Sequence, residues 1–545
     1  MYMKPEIEEE RRRKLRMATI VSILKQFPCD KFNSTLYLSI IVAIIISILL
    51  VINLTITRRS KSIINLPPSP PKLPFIGNLH QLGTLPHRSF QELSNKHGPL
   101  MFLQLGQIPT LVVSSADLAK EIFKNHDLVF ASRPPTTAGN IFLYGCKDIA
   151  FAPCDEAWRQ KKKVCVVKLL SPKKVKSFLP VRQHEVAKLV DTIQEACSRE
   201  VSSSSCVINL SELLVATSFN IVSRCVLGQD FDFSEVSGHG SFGELSRKLL
   251  RQFTEFCVGD FFPSLGWVDD FRGLTSKFNA TSVAVDAFME GVIEEHKKNK
   301  TNNDDDDDDD DDDSNKDFVA ILLHLQEKGM LEFEFTREDL KAILVDMFLG
   351  ATDSSSTTLE WTFSELLKKP STMKKVQEEV RQVVGNKSMI DENDINQMKY
   401  LKCVIKEALR LHPPLPILVP RQTTSNSKIK GYDIPSKTTV YLNVWAIHRD
   451  PELWKDPEEF IPERFESNQI DFKGQDFQYI PFGSGRRGCP GMSFGLASTE
   501  YILANLLYWF DWKLPINEDI DMTEMSGITV SKKVPLHLEV IMMAN

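Results

Sequence analysis

The stretch Leu36 to Ile56, LYLSIIVAIIISILLVINLTI, runs for 21 residues without a charge. As a helix rising ~1.5 Å per residue it would reach roughly 31 Å, matching a bilayer core of about 30 Å. A cleaved signal peptide would have a shorter apolar region and small residues at its cleavage site. Arg58, Arg59 and Lys61 come next instead. Residues 36–56 are therefore expected to be an uncleaved single-pass anchor, with those cations keeping its C-terminal side in the cytosol. Residues 1–35 are an N-terminal extension whose RRRKLR run, Arg11 to Arg16, opposes that bias. A start at Met17 would remove the conflict. Beyond the anchor lies a basic and proline-rich hinge, 57–74. Five prolines fall between Leu66 and Asn78, and each fixes φ and disfavours helix before it, so a stiff, extended spacer is expected.

Residues 75–545 remain for a catalytic domain, enough to bury a sizeable core. Helical periodicity dominates, as in EDLKAILVDMFLG (Glu338 to Gly350), STMKKVQEEVRQVVG (Ser371 to Gly385) and YLKCVIKEALRLH (Tyr400 to His412). Strand-like runs are fewer and short: LMFLQLG (Leu100 to Gly106), PTLVVSS (Pro109 to Ser115) and TTVYLNVWAI (Thr438 to Ile447). The alternation is too irregular for a doubly wound sheet, and no phosphate-cradling glycine loop opens a helix. The fold class is mainly α with small β-sheets.

Charge and cysteine usage narrow the function. The net charge is −7, but it would be +3 without the ten consecutive aspartates from Asp304 to Asp313. That run repels itself and cannot pack, so a disordered acidic loop is expected over about 299–316. Nothing in the remainder calls for a nucleic-acid partner. The ten cysteines form no CxxC pair; buried free thiols fit better than a disulfide scaffold or a zinc site.

One cysteine stands apart. PFGSGRRGCPG, Pro481 to Gly491, sets Cys489 among four glycines and two arginines, just before the apolar run GMSFGLASTEYILANLLYWF. The run reads as a buried helix, and its free amides and positive dipole end would stabilise a thiolate. Glycine lets the loop fold tightly enough to aim N–H groups at the sulfur. A thiolate placed there can be a nucleophile, a redox thiol or a haem ligand.

The full pattern, Phe482-x-x-Gly485-x-Arg487-x-Cys489-x-Gly491, resembles the haem-binding signature of the cytochromes P450. The resemblance implies Cys489 as axial thiolate of haem b, Phe482 packed beside it and Arg487 on a propionate. Other motifs agree. Glu407-x-x-Arg410 shares a helix face, and with Arg464 of FIPERF it is similar to the family's buried Glu–Arg–Arg network, whose role is structural. AWRQKKK resembles the W-x-x-x-R helix, with Trp158 in place but Lys162 where arginine is usual; an ammonium lacks the bidentate fork. Arg421 is implied as a second propionate ligand. Arg159, Lys161, Lys163 and Lys168 read as a solvated face that would also suit an acidic reductase.

LVDMFLGATDSSSTTLEW, Leu344 to Trp361, lies on a helix that Thr336 and Asp339 should cap and Pro370 should end. Its small, hydroxylated centre resembles the oxygen-binding groove, with Asp353 and Ser354 relaying protons. Ala351 and Ser354 depart from the usual glycine and threonine. The implied substrate walls are Thr136 to Phe142, Phe348 to Ala351 (including Gly350), Ile417, Leu418 and Val419, and Ile528 within Gly527 to Thr529.

From Leu66 onward the chain is most similar to plant A-type cytochromes P450 near family 71. His448 is a local departure, since relatives usually carry glycine there. The implied activity is a membrane-anchored monooxygenase of the endoplasmic reticulum with a cytosolic catalytic domain. It would hydroxylate, epoxidise or desaturate a small apolar terpenoid, alkaloid or phenolic, using O2 and electrons from NADPH–cytochrome P450 reductase. A reductase-independent haem-thiolate isomerase or dehydratase, and a non-catalytic haem-binding protein, are the alternatives.

Overall fold

Thr336 opens the longest helix with a capping box. Its hydroxyl accepts the Asp339 amide at 3.2 Å, and the Asp339 carboxylate accepts the Thr336 amide at 2.9 Å. The computed structural model of the chain describes residues 39–44, 47, 65–199, 206–229, 242–302, 316–331 and 333–542. It divides into two units, Met1–Ile64 and Asn65–Asn545. In the first, residues 39–44 and 47 are helical and exposed. The rest of the expected anchor, the N-terminal extension and residues 57–64 of the hinge lie outside the described residues.

In the second unit five helices position the site: Glu156–Val164 (α1), Leu210–Leu227 (α2), Arg337–Lys368 (α3), Lys399–Leu411 (α4) and Met492–Trp509 (α5). Helix α3 is 32 residues long and ends at Lys369, where Pro370 begins the next helix. It packs against α2, α4 and α5, and most of its side chains are buried in the main apolar core. Among the described residues only α2 is long and apolar enough to cross a membrane. It is a buried core helix.

A four-stranded sheet flanks this bundle. Leu100–Leu105 (β1) and Ile108–Val113 (β2) form an antiparallel hairpin. Arg421–Gln422 (β3) and Thr439–Leu442 (β4) complete the order β1-β2-β4-β3, with β2 and β4 parallel. Glu524–Ser526 (β5) pairs with Val530–Lys532 (β6) in a small hairpin beside α3.

Three expectations need amendment. The prolines after Leu66 do not make a free spacer. The Pro68 carbonyl accepts the Phe102 amide at 2.9 Å, and Asn78 donates to the Pro70 and Pro71 carbonyls at 3.3 Å, so this segment is docked on the compact unit. The run Thr438 to Ile447 is a strand only to Leu442. Asn443 then caps the short helix Val444–Ile447 by accepting the Ala446 amide. Residues 299–302 continue the helix Leu274–Asn302; 303–315 of the acidic loop lie outside the described residues.

Candidate active site

Two glycines and one distant carboxylate shape the cysteine loop. Gly483 and Gly485 have φ of 66° and 68°, a left-handed conformation that costs other residues strain. A Cβ on Gly485 would also fall 2.6 Å from Asp127 Oδ1. The approach is close because Asp127 ties the loop down: it accepts the Arg486 amide at 2.8 Å and Arg421 Nη1 at 2.9 Å. Arg421 Nη2 in turn donates to the Ser484 carbonyl at 2.7 Å. The Cys489 amide closes the loop onto the Phe482 carbonyl at 2.9 Å.

The Cys489 thiol is enclosed by protein on all sides yet has an open surface, because it faces an internal cavity. Burial pushes its pKa up, while the amides of Gly491 and Met492 and the charge of Lys162 pull it down. The cavity holds about 1600 Å³ of unfilled space, counting its mouth. Gly350, Ala351 and Ser354 of α3, Leu418, Val419 and Phe482 line it, as do four cations: Arg133, Lys162, Arg421 and Arg487. Among the described residues Asp346 is the only carboxylate in its wall.

Those cations are fixed by backbone carbonyls. Arg487 Nε donates to Ala131 at 2.7 Å and Nη1 to Ile149 at 2.9 Å, while Nη2 reaches Ala152. Arg133 donates to Ala150, Val419 and Pro420. Lys162 Nζ donates to the Arg486 and Gly488 carbonyls of the cysteine loop. Burial, with Arg487 nearby, brings the Lys162 pKa down to about 8. Burial and mutual repulsion with Arg421 similarly lower Arg133 and Arg487. Positive charge thus converges on one rim, with only Arg421 paired directly to a carboxylate among the described residues, that of Asp127.

The acidic side differs from expectation. Ser354 lines the cavity and donates to the Gly350 carbonyl at 2.8 Å. Asp353 is absent from the wall; its Oδ2 accepts from Thr529 Oγ1 at 2.6 Å. Asp346, two helical turns earlier, accepts the amides of Ile149 and Ala150, each at 3.1 Å. Burial and the neighbouring Asp148 raise the Asp346 pKa to about 8.

Several expected wall residues lie elsewhere, among them the whole of Thr136 to Phe142, Leu349, and Gly527 to Thr529. Phe348 packs in the core against Phe219 and Phe242, with ring centroids 5.1 and 4.7 Å away. Ile417 packs with the β1–β2 cluster, and Ile528 does not reach this cavity. Of the expected solvated face, Arg159 and Lys163 are exposed, but Lys161 is buried in an ion pair with Asp339 at 3.0 Å. The Glu–Arg–Arg network forms as expected. Arg410 holds Glu407 bidentately at 2.8 Å twice, and Arg464 Nε adds a third contact at 3.1 Å. The described cysteines are all free; burial pushes Cys146 and Cys257 up to about 12.

Asp127, which ties the cysteine loop, and Arg133 and Asp346, which line the cavity, are positions that sequence reasoning did not single out; Thr529 was expected only as part of a substrate wall. Of the first three, only Arg133 sits in a recognisable local pattern, FASRP, Phe130 to Pro134.

The donor set fits a haem. A soft thiol faces a cavity large enough for a macrocycle, and a cluster of guanidinium and ammonium groups on one rim suits two propionates. Comparisons agree. The cytochrome P450 family profile matches residues 67–540. A phenylacetaldehyde oxime monooxygenase of Prunus mume is 51% identical over 480 residues, covering 87% of this chain and 89% of that protein. Cytochrome P450 71A1 of Persea americana is 48% identical over 465 residues, covering 85% and 90%. A 5-epiaristolochene 1,3-dihydroxylase of Nicotiana tabacum is 44% identical over 477 residues, covering 87% and 92%. With thiol, cations and sequence in agreement, the chain belongs to the cytochromes P450, the haem-thiolate monooxygenases, and is most similar to the plant family 71 members.

Proposed function

We propose that this monooxygenase oxidises a small apolar specialised metabolite, a terpenoid or alkaloid skeleton, with electrons from NADPH–cytochrome P450 reductase. The observation that carries the reading is the position of Cys489 in a cavity whose rim is cationic and whose α3 wall is small and hydroxylated. Haem held there supplies the oxygen chemistry, and a thiolate ligand favours O–O cleavage. Cys489 is the ligand, with Phe482 beside it. Trp158, Lys162, Arg133, Arg421 and Arg487 hold the carboxylate edge. Gly350 and Ala351 keep the α3 wall low so that oxygen and substrate fit, while Leu418 and Val419 contact the substrate. Ser354 and Asp353 move protons. Glu407, Arg410 and Arg464 keep the fold beneath the cysteine loop rigid.

The substrate class is supported by the wall and by relatives whose names specify phenylacetaldehyde oxime and 5-epiaristolochene as substrates. Anchoring in the endoplasmic reticulum membrane through residues 36–56 is supported by their length and lack of charge. Exposed apolar side chains on the compact unit, Trp267 at 62% and Phe271 at 87%, give lipid a second point of contact. The domain limits 36–56, 57–74 and 75–545 belong to this reading. Co-expression with the reductase in microsomes tests it. A thiolate-type spectrum of the reduced carbon monoxide complex is expected, then mass-spectrometric detection of one incorporated oxygen across a terpenoid and alkaloid panel. Persistence of that spectrum in Cys489→Ala would overturn the ligand assignment. Haem binding without reductase-driven turnover would favour the isomerase alternative.

A further inference from the structure

Asp353 is held by the β5–β6 turn. Thr529, 3% exposed, donates its hydroxyl to Asp353 Oδ2 at 2.6 Å and also its backbone amide. Thr529 Oγ1 is 3.0 Å from Thr357 Oγ1, one turn along α3 from Asp353. Because the Thr529 proton goes to the carboxylate, its oxygen is left to accept from Thr357, giving the chain Thr357 O–H to Thr529 O–H to Asp353. The turn is fixed against α3. Trp361 Nε1 donates to the Val530 carbonyl at 2.9 Å, the Lys532 amide donates to Glu360, and the Val530 amide to Pro414. No ion pair holds Asp353 among the described residues; its partners are neutral.

We propose that Thr529 is a positioning residue for the reaction: it parks the Asp353 carboxyl behind the cavity wall and releases it by side-chain rotation toward Ser354. This rests on the reading of Asp353 as a proton carrier. With haem bound, Asp353 would accept a proton entering from bulk solvent on the β5–β6 side, break with Thr529 and supply that proton to the oxygen chemistry of the cavity. It then returns as carboxylate to the two Thr529 donors. The two electrons come from the reductase, so Thr529 alters only where and when the proton is available. A neutral anchor suits this task, because a carboxylate that leaves it strands no buried cation.

The test uses the haem-loaded, reductase-reconstituted protein with Thr529→Val, Thr529→Ser, Thr529→Ala and Asp353→Asn. Two readouts are taken: the partition of NADPH electrons between product and hydrogen peroxide, and infrared titration of the ferric protein. The carboxyl band in that titration is assigned by its loss in Asp353→Asn. Thr529→Val should worsen the partition roughly tenfold, the size expected for losing a hydrogen bond to a charged group. It should also shift the band's titration to higher pH; Thr529→Ser should restore both. Thr529→Ala replaces Thr529→Val if the valine variant does not bind haem. If valine or alanine behaves like wild type while Asp353→Asn uncouples, the Thr529 inference fails and the Asp353 reading stands. If Asp353→Asn stays coupled, the Asp353 reading fails and takes the inference with it. If serine is as poor as valine, Thr529 is only structural and the inference is overturned.

Discussion

The guanidinium of Arg487 lies 3.9 Å from the centre of the Trp158 ring, and both side chains donate to the same Ile149 carbonyl. Trp158 is thus a plate that holds Arg487 flat at the cavity rim. Trp158→Ala should lose about 3–5 kcal/mol of burial and a further ~0.5–2 kcal/mol of cation–π attraction. Trp158→Phe should keep most of the plate. Thermal unfolding and the fraction of protein retaining haem should both rank wild type, then phenylalanine, then alanine.

Asp127 is the one carboxylate that ties Arg421 and the Arg486 amide together, and the Arg421 side chain is only 3% exposed. Asp127→Ala leaves that guanidinium without its charge partner, which should cost toward 3 kcal/mol, the lower end of the ~3–5 kcal/mol range for broken buried pairs. Gly485→Ala should be as damaging, since it meets both a left-handed φ and the same carboxylate. Loosening the loop should appear as conversion of the thiolate-type carbon monoxide spectrum to an inactive form at lower urea than wild type.

Much of this site was legible because its parts are close in sequence. The cysteine loop is eleven contiguous residues, and Glu407 and Arg410 are one helical turn apart. The α3 wall was half legible. Met347, Gly350, Ala351, Ser354, Ser355 and Thr358 line the cavity at spacings of three and four; Phe348, about 100° around the helix, points into the core. Asp127 left no local trace, and Thr529 was marked only as the end of an expected substrate wall. They meet their partners across 294 and 176 residues, and only the folded chain brings them there. Asp353 was expected beside Ser354 in the groove, but the side of the wall it occupies depends on the β5–β6 turn, which holds its carboxylate through Thr529.

Asp346 predicts a pH effect. Burial and Asp148 raise its pKa to about 8, with Arg133 opposing; Lys161 acts on Asp148. A carboxyl with a raised folded-state pKa contributes stability below its unfolded value near 3.9, and loses it as pH rises through about 8. Asp346→Asn keeps an oxygen for the Ile149 and Ala150 amides while removing the charge. Its stability relative to wild type should therefore rise between pH 4 and pH 8. Asp346→Ala should lose about 1–3 kcal/mol for each amide left unpaired. Urea unfolding of the two variants across that range checks both signs.

His448 predicts the opposite slope. The Ile480 amide donates to its Nε2 at 3.0 Å, so the ring proton sits on Nδ1, facing the Arg410 carbonyl at 3.2 Å. The ring is fully buried and bridges the Glu407–Arg410 helix to the residue preceding the cysteine loop. Burial, with Arg410 and Arg449 nearby, lowers its pKa to about 3. A depressed histidine is protonated more readily in the unfolded chain, so its contribution is lost as pH falls from about 6.5 toward 3. His448→Gln retains one donor and one acceptor but cannot titrate, so it should lack that part of the acid destabilisation. His448→Gly should be destabilised at every pH, by about 1–3 kcal/mol for each of the two backbone groups left without a partner. If glutamine and wild type lose stability in parallel below pH 6.5, the bridge does not hold a neutral ring.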